Sequence, residues 1–305
     1  MSLLQVKDLC VDYGKFRAVD QVSFALAAGE TLGLVGESGS GKSTTARAVL
    51  RLVEAASGQI LFDDQDVLRL KGRPLQQFRR RAQMVFQDPY SSLNPRRTVA
   101  QTLLEPRQVH GLSTEGWLSR LLLKVGLLEE HAQRFPHQFS GGQRQRIAIA
   151  RALSSQPDLV VADEAVSALD VSIQAQVLNL LTDLQAQLNL TILFISHDLA
   201  VIRQICSRVA VMYLGQMVEL GPAEEVCQRP RHPYTASLVS SIPGGSRTVP
   251  LVRAEQKVST GCVFAPRCWK AQSVCWQQRP PMQEMESSHE VACHYPLSVE
   301  EVGTV

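Results

Sequence analysis

The residues best placed to do chemistry are Gly36-Glu37-Ser38-Gly39-Ser40-Gly41-Lys42-Ser43, a complete G-x-x-x-x-G-K-[ST] pattern. Glycines at that spacing let successive backbone N–H groups curl inward around an anion, and a helix beginning at the end of the pattern aims its positive dipole end at the same point. The ligand class is a polyphosphate. Lys42 reaches its terminal phosphates, and the Ser43 hydroxyl holds a magnesium ion that bridges two of their oxygens. Further along, Asp163-Glu164 closes one apolar run and His197 closes another. Asp163 is then suited to face the magnesium and Glu164 the attacking water, while a lone histidine in that position is structural more often than catalytic. Ser140-Gly141-Gly142-Gln143 opens a helical stretch, either as a second anion-ready helix start or as an ordinary capped helix.

Each of these groups needs an element to hold it. Residues 31–35 are an apolar run and 44–52 a helix-forming stretch, giving the strand, loop and helix that a phosphate loop requires. Residues 159–162 and 191–195 are continuous apolar runs, the mark of parallel strands buried on both faces, and ligands of open α/β sheets bind beyond the carboxyl ends of such strands. Asp163, Glu164 and His197 lie there. Residues 82–86 form a similar run that ends at Gln87, ahead of the turn-rich segment 88–95. Residues 3–8 and 22–26 alternate apolar and polar side chains, predicting a small antiparallel sheet with Tyr13 and Gly14 in its turn region. Tyr13 is then placed either to stack on a purine face or to pack on a strand edge.

Residues 58–62 look like a further strand, and Arg79-Arg80-Arg81 is read as a solvated helix face. Near-helical spacing of Leu118, Leu121, Leu122 and Val125 within residues 99–135 predicts a helical subdomain inserted into the α/β unit. A further helix is expected after Ser167-Ala168-Leu169-Asp170, running to about Leu188 with Ile173, Val177, Leu180, Leu181 and Leu184 on one face.

At 305 residues, one large domain with a smaller appendage is expected. Thirty-one basic against 29 acidic residues leave +2, which supplies no global attraction to nucleic acid or to an acidic membrane surface. No apolar run approaches the roughly 18 residues of a spanning helix, and the N-terminus lacks a secretion signal, so a soluble, cytosolic chain is expected. Seven cysteines argue against a disulfide framework in that compartment, yet Cys262, Cys268, Cys275 and Cys293 crowd the C-terminal end. Cys10, Cys206 and Cys227 read as ordinary packed cysteines.

Taken in order, the phosphate loop, Gln87, Ser140-Gly141-Gly142-Gln143, strand 159–164, the Ser167-to-Asp170 turn and His197 resemble the ATP-binding subunit of ABC transporters over about residues 3–242. The stretch from Gln87 to Arg96, the motif Arg231-His232-Pro233-Tyr234-Thr235 and the tail with Gly261-Cys262-Val263-Phe264 and Arg267-Cys268 are similar to the dipeptide/oligopeptide/nickel importer branch. Phe139 replaces the family's usual leucine, a spelling found in that branch. Ala165 replaces a proline that would have fixed φ after the acid. The proline-rich approach usual before the first cysteine is reduced to Pro250.

The resemblance implies an α/β fold: a P-loop NTPase (RecA-like) core with a small antiparallel β subdomain, an inserted helical subdomain at about 95–157 and a short cysteine-containing extension. The ATPase domain is expected at 1–245 and the extension at 246–305. ATP is expected on Tyr13, Gly36, Ser38, Gly39, Ser40, Gly41, Lys42, Ser43 and Thr44, with Ser140, Gly141, Gly142 and Gln143 supplied by a second subunit in a head-to-tail homo- or heterodimer. Ser43, Gln87 and Asp163 are the expected Mg2+ donors, and Glu164, His197 and Gln87 the expected catalytic groups. Separate permease subunits, an extracytoplasmic substrate-binding protein and a peripheral position on the cytoplasmic face of the inner membrane follow from the same resemblance, with no nucleic-acid partner.

A soluble mechanical ATPase acting on nucleic acid or ribosomes is the alternative, but it usually carries a long coiled-coil insertion or a second tandem ATPase unit. A nucleic-acid-binding zinc tail is the third reading, opposed by the near-neutral charge and the absence of paired C-x-x-C spacing. In the tail, C-x5-C-x6-C-x17-C suits a [4Fe–4S] cluster, with zinc or free thiols as alternatives. The cysteines lie far along the chain from every catalytic motif, so a structural or redox-sensing role is expected of them.

Overall fold

Apolar runs without alternation have no polar face to offer water, so they pair side by side inside the protein. The computed structural model describes residues 2–241, 260–285, 288–298 and 301; the linker around Pro250 lies outside the described residues. The chain divides into two compact units.

The first unit comprises Met1–Leu4, Leu26–Glu30 and Leu61–Ile195. Its centre is the strand Leu159–Asp163, buried at all five positions. On one side it pairs in parallel with Ala82–Val85, Ala82 lying opposite Leu159 and Val85 opposite Ala162. On the other it pairs in parallel with Thr191–Ser196, Asp163 lying opposite Ile195. This register brings the carboxyl ends of three strands to one edge. Burial of each Val, Leu or Ile side chain in these strands contributes about 1.5–3 kcal/mol, so the edge is positioned by a rigid core.

The helix Val171–Leu188 buries Val177, Leu180, Leu181 and Leu184, leaves Ile173 half-buried, and stops at Asn189, whose φ of 49° is the left-handed conformation asparagine tolerates. The helical insertion contains Val99–Val109, opened by a reciprocal Thr98–Gln101 cap, and Trp117–Lys124. Buried Arg107 joins it to the end of the helix Gly141–Leu153, donating to the Ser154 carbonyl at 3.1 Å with its guanidinium 4.3 Å from the Trp117 ring centroid.

Two sequence expectations are corrected in this unit. Segment 88–95 is not all loop: Pro89–Ser92 forms a helical turn, because proline's fixed φ suits a first helical position and Asp88 Oδ1 accepts the Tyr90 N–H at 2.8 Å. Nor is Arg81 merely solvated. It ends the helix Gly72–Arg81, pairs with Asp63 at 2.8 Å and with Asp158, and lies 4.9 Å from the Phe62 ring centroid.

The second unit comprises Gln5–Ala25, Thr31–Ile60 and Ser196–Val305. The two N-terminal strands run longer than their alternation suggests, Ser2–Tyr13 and Phe16–Ala27. A two-residue link can join only antiparallel neighbours. Thr31–Val35 pairs in parallel with Arg208–Tyr213, Val35 lying opposite Val211. Arg208–Tyr213 then turns back into Gln216–Pro222 through Leu214-Gly215, both at positive φ (45° and 84°), the backbone of a tight hairpin.

The C-terminal segment extends this sheet. Glu290–Val291 pairs antiparallel with Glu219 and Leu220, and Gln283–Glu284 pairs with Glu290–Val291. Strands of two residues are too short to show a period of two, so the sequence contains no sign of them. Among the described residues no helix is long and apolar enough to cross a membrane.

Candidate functional site

The buried strand Thr31–Val35 delivers the chain to the phosphate loop, and the helix Lys42–Val49 carries it away. Gly41 caps that helix at φ 99°, and a Cβ there would stand 2.6 Å from the Ala18 carbonyl oxygen, so the position admits only glycine. Gly41, the N-cap, has no side chain with which to close the helix start. Its first-turn N–H groups are therefore aimed, with the helix dipole, at an anion.

Lys42 is buried, and its ammonium donates to the carbonyls of Gly36 (2.8 Å) and Glu37 (2.9 Å) and to Ser40 Oγ (3.3 Å). A cation held inside its own loop is already in place for phosphate oxygens. Ser38 and Gly39 are exposed on the loop, Ser43 and Thr44 are half-buried in the first helical turn, and Tyr13 is half exposed at its strand end.

Two residues that the sequence marks only as signs of the branch reach this loop. The Glu37 N–H donates to Tyr234 Oη at 2.8 Å, and the Glu37 carboxylate accepts two bonds from Arg267, at 2.9 and 3.0 Å. Arg267 precedes Cys268. Remoteness along the chain is therefore a poor guide to the extension's place. The strand Arg208–Tyr213 lies beside Thr31–Val35, and Tyr213 at its end bonds Arg267, so the tail folds back to the loop's second residue.

In the first unit, Asp163 is buried where its strand ends, and Glu164 follows at φ 47°. A left-handed non-glycine residue costs on the order of 1 kcal/mol and persists only where its surroundings hold it. Here the Glu164 N–H donates to the Ile195 carbonyl at 3.0 Å, and Ser167 Oγ donates to the Glu164 carbonyl at 3.0 Å. The turn aims the carboxylate at Gln87, whose Nε2 donates to Glu164 Oε2 at 2.9 Å. Ala165 is buried directly after it. In the second unit, His197 is exposed after Ser196, and Asp198 caps the helix Leu199–Ile205 by accepting the Ala200 N–H at 2.8 Å.

The helix Gly141–Leu153 starts differently from Lys42–Val49. Ser140 Oγ accepts the Gln143 N–H at 3.3 Å, and Gln143 Oε1 accepts the Ser140 N–H at 3.1 Å. A Cβ on Gly142 would stand 2.4 Å from Ile173 Cγ2, so the glycine permits close packing against Val171–Leu188. Buried Arg144 donates to the carbonyls of Pro136 (2.8 Å) and His137 (3.3 Å) and lies 3.9 Å from the Tyr90 ring centroid. Arg151, about two turns on, donates to the Ser92 carbonyl. These arginines tie the helix to the turn after Gln87. The sequence assigns a role to neither, and their seven-residue separation is the only signal it offers.

Cys262, Cys268, Cys275 and Cys293 line one pocket of about 10 Å³ beside His232 and Phe264. Burial pushes the Cys262 thiol up, that of Cys268 to about 11 and that of Cys293 to about 12. Among the described residues, no three His, Cys, Asp or Glu side chains form a group that could hold a metal ion. Cys10, Cys206 and Cys227 are buried and free.

The strand–loop–helix phosphate site of the second unit is that of a P-loop nucleotide-binding protein. Residues 19–167 match the ABC transporter family, and residues 218–275 match the oligopeptide/dipeptide transporter C-terminal region. The oligopeptide transport ATP-binding protein AppF of Bacillus subtilis is 50% identical over 296 residues, covering 92% of this chain and 90% of AppF. The glutathione import ATP-binding protein GsiA of Pectobacterium atrosepticum is 57% identical over 230 residues, 74% of this chain and 37% of GsiA. Among solved structures, the ATP-binding cassette MJ0796, a dimer in a post-hydrolysis state with ADP and Pi, aligns with a TM-score of 0.64 at 28% identity, covering 72% of this chain and 98% of that one. The chain belongs to the ABC transporter family, as an ATP-binding and ATP-hydrolysing subunit of its oligopeptide/dipeptide branch.

Proposed function

We propose that this subunit energises a bacterial importer of peptides or of a related small solute such as a nickel chelate. The observation that carries the reading is the match of residues 218–275 to the branch-specific C-terminal region, joined to 50% identity with an oligopeptide transport subunit along nearly the whole chain. The mechanical-ATPase alternative has no corresponding support. Residues 1–245 form the ATPase domain and 246–305 the extension in this reading. Its partners are separate permease subunits, a second ATPase subunit, identical or related, and an extracytoplasmic substrate-binding protein. The subunit sits peripherally on the cytoplasmic face of the membrane.

Tyr13 stacks on the adenine, and the loop from Gly36 to Thr44 wraps the phosphates, Lys42 neutralising their terminal charge. Ser43, Gln87 and Asp163 are hard oxygen donors of the kind Mg2+ takes, and the ion when bound neutralises β- and γ-phosphate oxygens. Glu164, oriented by its strained turn, polarises the attacking water, and His197 contacts the γ-phosphate. Ser140, Gly141, Gly142 and Gln143 act on the nucleotide of the partner subunit. ATP thus joins two subunits and hydrolysis separates them.

Four thiols around one pocket are suitable donors for a [4Fe–4S] cluster, with Zn2+ as the alternative; either supplies cohesion to a segment with little core of its own. The reading rests on the donor set and its shared pocket, and no step of hydrolysis is assigned to either group. Anaerobic purification followed by iron, sulfide and zinc analysis separates the two groups from free thiols.

The function is tested by purifying the subunit with candidate permease subunits and a binding protein and asking which of a dipeptide, an oligopeptide, glutathione or a nickel chelate stimulates ATP hydrolysis. Stimulation by a peptide is expected. Hydrolysis stimulated by nucleic acid and indifferent to all four solutes would overturn it.

A further inference from the structure

The two features that mark the branch, the His-Pro-Tyr turn and the cysteine-bearing extension, converge on Glu37. Fully buried Glu219 accepts the N–H groups of Arg231 (2.6 Å) and His232 (2.9 Å), and its Oε1 lies 2.7 Å from His289 Nε2. That fixes the start of the helix Pro233–Ser240, whose buried Tyr234 receives the Glu37 N–H. Phe264 packs beside it, its ring centroid 5.4 Å from that of Tyr234 and 5.3 Å from that of Tyr213. Arg267 completes the clamp with its two bonds to the Glu37 carboxylate and a third, at 3.3 Å, to Tyr213 Oη.

Glu37 is an awkward residue for a loop that binds a polyanion. Its carboxylate adds negative charge beside the phosphates, while its carbonyl is one of the acceptors holding Lys42. We propose that Arg267 and Tyr234 are positioning residues for the phosphate loop, through which the C-terminal extension sets ATP affinity. Arg267 cancels the carboxylate's charge and holds the side chain beside Tyr213. Tyr234 fixes the peptide between Gly36 and Glu37, and with it the Gly36 carbonyl that accepts from the Lys42 ammonium. The extension is then part of the nucleotide site's support, whatever its cysteines hold.

This role rests on the phosphate loop being the ATP site, which a Lys42→Ala control tests separately. The experiment titrates the full-length chain with a fluorescent ATP analogue at ~0.05 M and ~0.5 M salt. Arg267→Ala should weaken binding about fivefold at low salt and less at high salt, because the Arg267 and Glu37 side chains are 31% and 42% exposed and their field is screened. Arg267→Lys should retain most of the affinity, and Arg267→Ala combined with Glu37→Gln should restore it to within about twofold, since the uncompensated charge is gone. Tyr234→Phe should weaken binding about threefold at either salt concentration, because a neutral bond is lost. Unchanged affinity in both Arg267→Ala and Tyr234→Phe would overturn the proposal. So would a double variant no better than Arg267→Ala, which would show damage to packing rather than an exposed charge.

Discussion

Two helices in this protein begin at glycine-rich sequences suited to anions, and they begin in opposite ways. Lys42–Val49 starts at Gly41, a residue with no side chain to cap it, and its lysine is held ready by the loop's own carbonyls. Gly141–Leu153 starts at Ser140, which is engaged with Gln143 in a reciprocal cap. The first end is organised to hold an anion by itself. The second is complete without one, so any phosphate contact it makes must compete with a cap worth about 1 kcal/mol. That difference suits one end to primary binding of ATP and the other to a contact made only when a partner brings its nucleotide.

The largest effect should come from the first end. Lys42→Ala should weaken ATP binding by about 100-fold or more, because charge-assisted bonds to phosphate contribute about 1.5–3 kcal/mol each. Equilibrium titration checks this, and binding within tenfold of the unmodified chain would break the distinction. Ser140→Arg should reduce hydrolysis by about two orders of magnitude while isolated subunits bind ATP within about twofold of normal. If binding to isolated subunits falls equally, the two ends serve the same nucleotide.

Arg144→Leu sharpens the comparison through stability. It leaves two carbonyls unpaired and removes the guanidinium from Tyr90, and should lower the unfolding free energy by about 2–4 kcal/mol in a urea titration. A loss no larger than that of an exposed ion pair would mean the helix does not hold the turn after Gln87.

The smallest effect, in mild acid, bears on the first end again, because His232 opens the helix that carries Tyr234 to the phosphate loop. Burial holds His232 down to about 3 from its usual 6.5, while its Nδ1 accepts the Tyr234 N–H at 3.0 Å. The unfolded chain takes up this proton below about pH 6.5 and the folded chain does not, so the stability present above that pH is lost as pH falls, by about 1.4 kcal/mol at ~pH 5.5. His232→Asn should flatten the pH dependence of the urea midpoint over the first unit below pH 6.5. An unchanged slope would assign the acid sensitivity elsewhere.

Much of this was legible in the sequence because the informative patterns are local. The phosphate loop is a run of consecutive residues, and the strand at Leu159 is a continuous apolar run with its acids attached. Ser140 and Gln143 sit three apart, the spacing of a capping box. What escaped is carried by contacts between distant residues. Arg267 meets Glu37 across 230 positions, Gln87 meets Glu164 across 77, and neither pair has a spacing that marks it. The left-handed turn at Glu164 escaped because a glutamate there has no propensity for it; neighbouring bonds impose it.

If Glu164 activates water for hydrolysis of an ATP held chiefly by the phosphate loop, removing its charge should separate binding from turnover. The most direct test is Glu164→Gln, measuring bound nucleotide, turnover and association state in one preparation. Normal ATP binding, turnover reduced by about two orders of magnitude or more, and ATP retained in a dimer are the expected results. Turnover close to that of the unmodified chain would contradict this role and move the base to another group, with His197 the next to examine.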